Sequence, residues 1–156
     1  MKKIVLNLIA LTTLGFGAMA QPTVNIPDVA FKTFLVTNTA INTNMDSEIQ
    51  TNEAHAFTDY FDCSDLGITD LTGIEAFDAI TSLNCSDNSL GTIDLSGNTA
   101  LTYLNCHSAD LNTLDLTQNT SLTNLQCYDN NLTAVDLTQN TALVSLSCNA
   151  NSITAL

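Results

Sequence analysis

The sequence predicts a solenoid in which short parallel strands stack in a flattened right-handed coil behind a small helical N-terminal cap. Three observations lead to this fold class. Cysteines recur at a nearly constant spacing, at positions 63, 85, 106, 127 and 148. Apolar and polar residues alternate around each cysteine, which is typical of a half-buried strand. The segment 26–61, which precedes the cysteines, instead has the apolar spacing of two helices.

The repeat unit spans 21 residues and has two similar halves. The first halves read ITSLNCSDNSL (80–90), LTYLNCHSADL (101–111), LTNLQCYDNNL (122–132) and LVSLSCNANSI (143–153). The second halves read GTIDLSGNTA (91–100), NTLDLTQNTS (112–121) and TAVDLTQNTA (133–142). A period of this length is typical of stacked coils, in which each unit buries its apolar side against its neighbours. Because both halves alternate, we expect short strands on both sides of the coil.

This unit resembles the leucine-rich repeat, with cysteine in place of one leucine, and its two-part form resembles the bacterial IRREKO class. The stretch LGITDLTGIEAFDAITSLNCSDNSL (66–90) resembles the opening of the internalins, which are bacterial surface adhesins. Their N-terminal cap is a small helical module similar to a truncated EF-hand. The resemblance implies leucine-rich repeats over 62–156 and an EF-hand-like cap over 21–61. Internalin repeats have 22 residues and only the first spacing here does, so no receptor is implied.

The first 20 residues have the pattern of a secretory signal peptide. Lys2 and Lys3 precede an apolar run, and Ala18-Met19-Ala20 is a small-x-small cleavage site. We therefore expect an exported protein, which would be extracellular, periplasmic or on the cell surface. Lys32 is then the only lysine or arginine against sixteen acidic residues. Such acidity disfavours nucleic acid as a partner, and no later apolar run is long enough for membrane insertion.

The cysteines permit two interpretations. Five cysteines in an exported protein could form disulfides. Each cysteine, however, occupies a leucine position at a fixed period, so neighbouring side chains should run parallel, which is poor geometry for a disulfide. We expect small buried hydrophobic side chains. The asparagines that recur at 88, 130 and 151, and at 98, 119 and 140, should form buried ladders that satisfy turn backbone groups.

The loop INTNMDSEIQTNEA (41–54) has nearly the ligand spacing of an EF-hand. Counted from Asn42, the candidate calcium ligands are Asn42, Asn44, Asp46, Glu48 (through its carbonyl), Gln50 and Glu53. Asn42 replaces the usual aspartate and Ser47 replaces the usual glycine. The oxygen ligands make calcium the candidate ion. Because the two replacements weaken the match, we expect a dissociation constant of roughly 10⁻⁴–10⁻³ M. The alternative is an ion-free turn of the cap.

The candidate binding surface lies on the outward side of the cysteine-bearing strands. Most of its positions are small and polar, and the side chains that distinguish it are Tyr103, Asn105, His107, Asn124, Gln126, Tyr128 and Asp129. A protein or a glycan could bind there, since repeat solenoids bind through one extended face. Asp94, Asp115 and Asp136 form another column in the second halves, which we expect to be solvated because like charges repel.

These observations favour a secreted or cell-surface module for protein binding or adhesion. The alternative is a calcium-stabilised structural spacer without a dedicated ligand. An enzyme acting on a glycan or peptide is a third hypothesis, and no recognisable catalytic motif supports it. The sequence stops at Leu156, midway through a unit, so we expect either a longer array or end-to-end self-association there.

Overall fold

The computed structural model describes residues 21–154, so the predicted signal peptide (1–20) lies outside the described residues. Five short parallel strands form one sheet in chain order. The strands are β1 (Phe61–Asp62), β2 (Ser82–Asn84), β3 (Tyr103–Asn105), β4 (Asn124–Gln126) and β5 (Ser145–Ser147). Equivalent positions pair across neighbouring strands, as Leu83 with Leu104 and Leu104 with Leu125. Each turn of the coil therefore matches one sequence repeat, and the predicted solenoid is confirmed.

The cysteines line the interior beside the leucines of the strands. Four of them, Cys63, Cys85, Cys106 and Cys127, are fully buried, and all five thiols are free. Each of the first two thiols lies close to a backbone carbonyl of the next coil, Cys63 Sγ to Asn84 O at 3.4 Å and Cys85 Sγ to Asn105 O at 3.6 Å. The interpretation as small buried hydrophobic residues is confirmed for these four, and Cys148 is half-buried.

The expectation of strands in the second halves is wrong for the described residues. These segments form extended stretches and turns, and the hydrogen bonds that close the turns are local, as from Asn98 N–H to the Leu95 carbonyl at 3.0 Å. Buried asparagine amides take the place of strand pairing. Asn119 Nδ2 donates to the carbonyls of Leu95 and Asn98, at 3.1 and 3.0 Å, in the preceding coil. Alternation of apolar and polar residues reports which side chains are buried, and it does not require that the backbone pairs with a neighbouring strand.

The other asparagine ladder joins the coils just after the strands. Asn130 Nδ2 donates to the carbonyls of Cys106 and Cys127, at 2.9 and 3.0 Å. Its Oδ1 accepts from the N–H groups of Ala109 and Leu111, at 3.1 and 2.9 Å. With a further bond from Nδ2 to the Tyr128 carbonyl at 3.2 Å, one side chain satisfies five backbone groups on two coils. The structural role expected for these asparagines is confirmed.

The N-terminal cap contains helix α1 (Val29–Thr37) and helix α2 (Thr51–Ala56). Asp28 is the N-cap of α1: its Oδ1 accepts from Phe31 N–H at 2.9 Å, and its Oδ2 accepts from the N–H and hydroxyl of Thr69 at 3.0 and 2.9 Å. This carboxylate therefore fastens the cap to the first coil. Gln50 is the N-cap of α2, and its N–H donates to Glu53 Oε2 at 3.1 Å.

The cap and the repeats share one hydrophobic core. Phe61 on β1 packs against Phe31 of α1 and against Phe77, with ring centroids 6.3 and 5.0 Å apart. Strand β1 thus contains residues on both sides of the predicted boundary between the cap (21–61) and the repeats (62–156). Within residues 21–154, no helix has the length and apolar character needed to cross a membrane.

Candidate functional site

The predicted binding residues lie together on the outward side of the sheet, which we call the sheet face. Tyr103 and Asn105 belong to β3, and His107 follows at the next alternate position, so all three point to the same side. Asn124 and Gln126 belong to β4. Exposure is graded: Tyr103, His107, Gln126 and Tyr128 are half-buried, Asn124 and Asp129 are exposed, and Asn105 is buried.

His107 and Tyr128 form a stacked aromatic pair on the sheet face. Their ring centroids are 4.5 Å apart and the ring planes differ by 11°. The two residues occupy the same position in neighbouring coils, where strands are ~4.8 Å apart. Strand spacing alone therefore brings the rings to stacking distance. The pair presents a fixed aromatic edge to solvent.

A polar network surrounds this stacked pair. His107 Nδ1 is 3.2 Å from the hydroxyl of Ser108, which in turn donates to Asp129 Oδ2 at 3.0 Å. On the other side, His107 Nε2 lies 3.7 Å from Asp87 Oδ2. The imidazole is thereby placed between a carboxylate of the coil before it and one of the coil after it. Asp87 was not among the predicted residues.

Tyr60 and Asp62 also lie on the sheet face, and neither was among the predicted binding residues. Tyr60 is half exposed, and burial, followed by the nearby Asp62 carboxylate, raises the pKa of its phenol. Asp62 Oδ1 accepts from Asn84 Nδ2 at 3.1 Å. Aligning YFDC (60–63) on its cysteine places Tyr60 at the position of Tyr103. That alignment would have found it, had the cap not been assigned through residue 61.

The acidic column of the second halves has a local structural role. Oδ1 of Asp94, Asp115 and Asp136 accepts from the N–H two residues later, at 2.9 Å in each case. Hydrogen bonds from Ser96, Thr117 and Thr138 lower the pKa of these carboxyls. Asp70, which was not among the predicted aspartates, makes the same turn: its Oδ1 accepts from Thr72 N–H at 2.8 Å. The three predicted aspartates are exposed, as expected.

The predicted calcium loop is organised around the carboxylate of Glu53. Its Oε1 accepts from the Thr43 N–H and hydroxyl and from Asn44 N–H, at 2.8, 2.9 and 3.1 Å. Its Oε2 accepts from Gln50 N–H at 3.1 Å. Burial would raise the pKa of this carboxyl, but the hydrogen bonds from Gln50, Asn44 and Thr43 lower it. Glu53 therefore closes the loop and caps α2.

The other predicted ligands also have protein partners. Asn44 Nδ2 donates to Asp46 Oδ2 at 3.0 Å and to Gln50 Oε1 at 2.6 Å. The side chain of Glu48 accepts from Lys32 Nζ at 2.8 Å. Asn42 is buried, and its Oδ1 has no hydrogen-bond partner among the described residues. Residues 21–154 contain no group of three or more His, Cys, Asp or Glu side chains arranged to hold a metal. Calcium binding stays a prediction.

Comparison with known proteins gave matches among solved structures. No protein-family model matches the chain, and no curated protein does. The functional domain of InlJ from Listeria monocytogenes, which includes a cysteine ladder, matches at a TM-score of 0.77 and 38% identity over 88% of this chain. An internalin (InlF) from the same organism matches at a TM-score of 0.66 and 17% identity over 82% of this chain.

The two matches differ in what they support. At 17% identity the InlF structure supports the fold alone. The InlJ domain shares both the fold and 38% of its aligned residues with this chain. The present chain spans 31% of the InlJ chain and 45% of the InlF chain. The single parallel sheet, the small N-terminal helices and the identity to InlJ together make this chain an internalin-like leucine-rich repeat protein.

Proposed function

We propose that this chain is an exported or cell-surface module that binds a protein partner on the sheet face. The observation that carries the proposal is the stacked pair of His107 and Tyr128. Aromatic side chains are enriched at protein interfaces and dominate their binding energy. Rings that are already ordered by the strand spacing lose little conformational entropy when a partner binds.

The surroundings of the pair support the same function. Tyr60 and Tyr103 add aromatic area on the same face, and Asn124 adds an exposed amide. Most side chains along these strands are polar and uncharged, so the centre of the face can be covered by a partner, and the carboxylates of Asp62, Asp87 and Asp129 lie beside the aromatic residues. A tyrosine-rich surface with amides is also typical of adaptable protein-binding sites. The second halves of the repeats carry no comparable aromatic cluster within the described residues.

The proposal is tested with the mature chain from Gln21, immobilised and probed with a panel of purified extracellular protein domains and with a glycan array. We expect a protein domain to bind the wild type and to lose about tenfold or more in affinity to the double variant Tyr103→Ser, Tyr128→Ser, because truncated hot-spot aromatics cost about 2 kcal/mol or more.

The matched control is Thr113→Ala with Gln118→Ala, two exposed positions of a second half. This variant should bind within about twofold of the wild type. Equal binding by the tyrosine variant would show that the sheet face is not the site. Binding to glycans alone would assign a glycan ligand, and no binding on either array would favour the structural-spacer hypothesis.

A further inference from the structure

Positive charge is nearly absent from this chain. Lys32 is the only lysine or arginine after residue 3, and its ammonium is held by both carboxylate oxygens of Glu48 at 2.8 Å. The sheet face therefore has no lysine or arginine to neutralise the carboxylates at its border. A partner of the proposed function has to supply that charge if those carboxylates are to be buried at the interface.

Two of these carboxylates flank the stacked pair and have free acceptor positions. The side chain of Asp87 is 50% exposed, and among residues 21–154 its oxygens have only the 3.7 Å contact with His107 Nε2. Asp129 accepts from Ser108 through Oδ2, and its Oδ1 accepts no hydrogen bond from the described residues. Both carboxylates thus point acceptors at solvent beside an aromatic stack. That combination fits a cationic group that is also planar.

A buried amide on the same face gives a second, independent observation. Asn105 is only 8% exposed, and its Oδ1 accepts weakly from His107 N–H at 3.4 Å. Its Nδ2 donates to no oxygen of residues 21–154. This nitrogen is therefore free to donate to a peptide carbonyl of a bound partner. Gln126, on the next strand, likewise has no side-chain hydrogen bond within the part of the chain that is described.

Resting on the proposed function, we propose that the partner presents a basic, arginine-bearing segment to this surface. Guanidinium groups of the segment pair with Asp87 and Asp129 and stack against Tyr128, and a backbone carbonyl accepts from Asn105. Arginine fits better than lysine because its planar group binds a carboxylate through two parallel hydrogen bonds and stacks on aromatic rings. A lysine ammonium offers charge without that planar match.

Other ligand classes fit these observations less well. An anion would be repelled by a chain of formal net charge −13. A bare metal ion lacks a suitable group of three or more ligating side chains among the described residues. A neutral sugar could stack on the rings, but it would leave both carboxylates without a counter-charge. The basic segment satisfies the rings, the carboxylates and the amide together.

The test uses a fluorescent nonapeptide of alternating arginine and glycine, titrated with the mature chain and followed by anisotropy. We expect Asp87→Asn with Asp129→Asn to weaken binding by about tenfold or more, because charged hydrogen bonds are lost. Asparagine keeps the shape of aspartate and tolerates the left-handed backbone of both residues (φ 55). The variant should therefore fold, which its circular dichroism checks.

The control Asp94→Asn with Asp136→Asn removes the same charge away from the sheet face, and it should change the affinity by less than about twofold at physiological salt. A lysine–glycine nonapeptide should bind about fivefold or more weakly than the arginine peptide, for lack of bidentate pairing. Equal losses in the two aspartate variants, or equal binding of the two peptides, would overturn the inference, since either result indicates a general attraction of cations.

Failure of this inference can be told apart from failure of the proposed function. If a protein from the panel depends on Tyr103 and Tyr128 but is unaffected by Asp87→Asn with Asp129→Asn, binding stands and the basic segment is wrong. If the arginine peptide displaces the same protein, and the aspartate variant no longer binds that protein, both the proposed function and the basic segment are supported. If no panel protein binds while the peptide depends on Asp87 and Asp129, the inference stands without a partner.

Discussion

At the scale of single residues, the cysteines show how burial suppresses reactivity. Burial, with a smaller contribution from Cys148, raises the pKa of Cys127 to about 12. Burial also raises the pKa of Cys63, Cys85 and Cys106. Since the thiolate is the reactive form, these four side chains behave as hydrophobic residues at neutral pH. That role was predictable from sequence, because the cysteines take leucine positions at a constant period.

We predict that a thiol reagent such as a maleimide labels Cys148 of the native chain, which is half-buried, and leaves the other four cysteines unmodified. After unfolding in guanidinium, all five should react. Intact-mass measurement under non-reducing conditions counts the labels. A mass showing two fewer reactive thiols in the unfolded chain would mean that a disulfide forms, contrary to the parallel arrangement of the column.

The asparagines show the limit of prediction at this scale. Their fixed spacing predicted ladders, and the hydrogen bonds of Asn130 and Asn119 match that expectation. Which atoms they satisfy was not predictable, because it depends on where the neighbouring coil places its carbonyls. In the ladder of Asn98, Asn119 and Asn140, the Oδ1 atoms have no hydrogen-bond partner among the described residues. In the ladder that contains Asn130, both the oxygen and the nitrogen of the side-chain amide make hydrogen bonds.

At the scale of elements, the loop between α1 and α2 shows how one spacing can serve two purposes. Several of the predicted calcium ligands hydrogen-bond to one another, and Glu53 accepts four hydrogen bonds from the loop. This closure could not be foreseen from the sequence, since an oxygen at a ligand position can accept from backbone N–H groups as well as from an ion. The loop is thus folded by its own hydrogen bonds.

We predict that Glu53→Gln lowers the free energy of unfolding by about 1–3 kcal/mol in the presence of chelator, because an amide cannot accept all four hydrogen bonds. The folded pKa of Glu53 lies below its ordinary value of 4.5. Its contribution is therefore complete above about pH 5 and is lost as the pH falls through the folded pKa. Urea unfolding of both proteins from pH 7 to pH 3 should show their difference shrinking.

The matched control is Glu48→Gln, which makes the same change in the same loop at a partly exposed ion pair and should cost less than about 1 kcal/mol. The proposed calcium site is tested with these variants. Millimolar calcium should raise the melting midpoint of the wild type and of Glu48→Gln, whose predicted ligand is its carbonyl, but not of Glu53→Gln. Identical melts in calcium and in chelator would leave the loop as a cap turn only.

At the scale of the whole molecule, the cap and the repeats are joined through Phe61. Its ring contacts those of Phe31, Phe57 and Phe77, at centroid distances of 6.3, 5.8 and 5.0 Å. Asp28 adds a polar connection to Thr69. A solenoid coil buries its apolar interior only when its end is covered. We therefore expect the helices and the coils to unfold together.

We predict that Phe61→Ala lowers the free energy of unfolding by about 3–5 kcal/mol. Thermal unfolding should remain a single transition with a lower midpoint. Far-ultraviolet circular dichroism and tyrosine fluorescence, which report helices and sheet face respectively, should give coincident curves. The neighbouring Tyr60→Ala, at a half-exposed side chain, is the control and should cost about 1 kcal/mol or less. Two separated transitions in the wild type would show that the cap folds independently of the repeats.

The sequence by itself determined the period, the inward column of leucines and cysteines, the polar sheet face and the presence of a helical cap. These features follow from apolar spacing, which local residue patterns encode directly. Only the tertiary structure decided that the second halves lack strands, that Tyr60 joins the sheet face, and that Asp87 and Asp129 flank the His107–Tyr128 stack. Those features depend on the distance and register between coils, which appear only when one unit packs against the next.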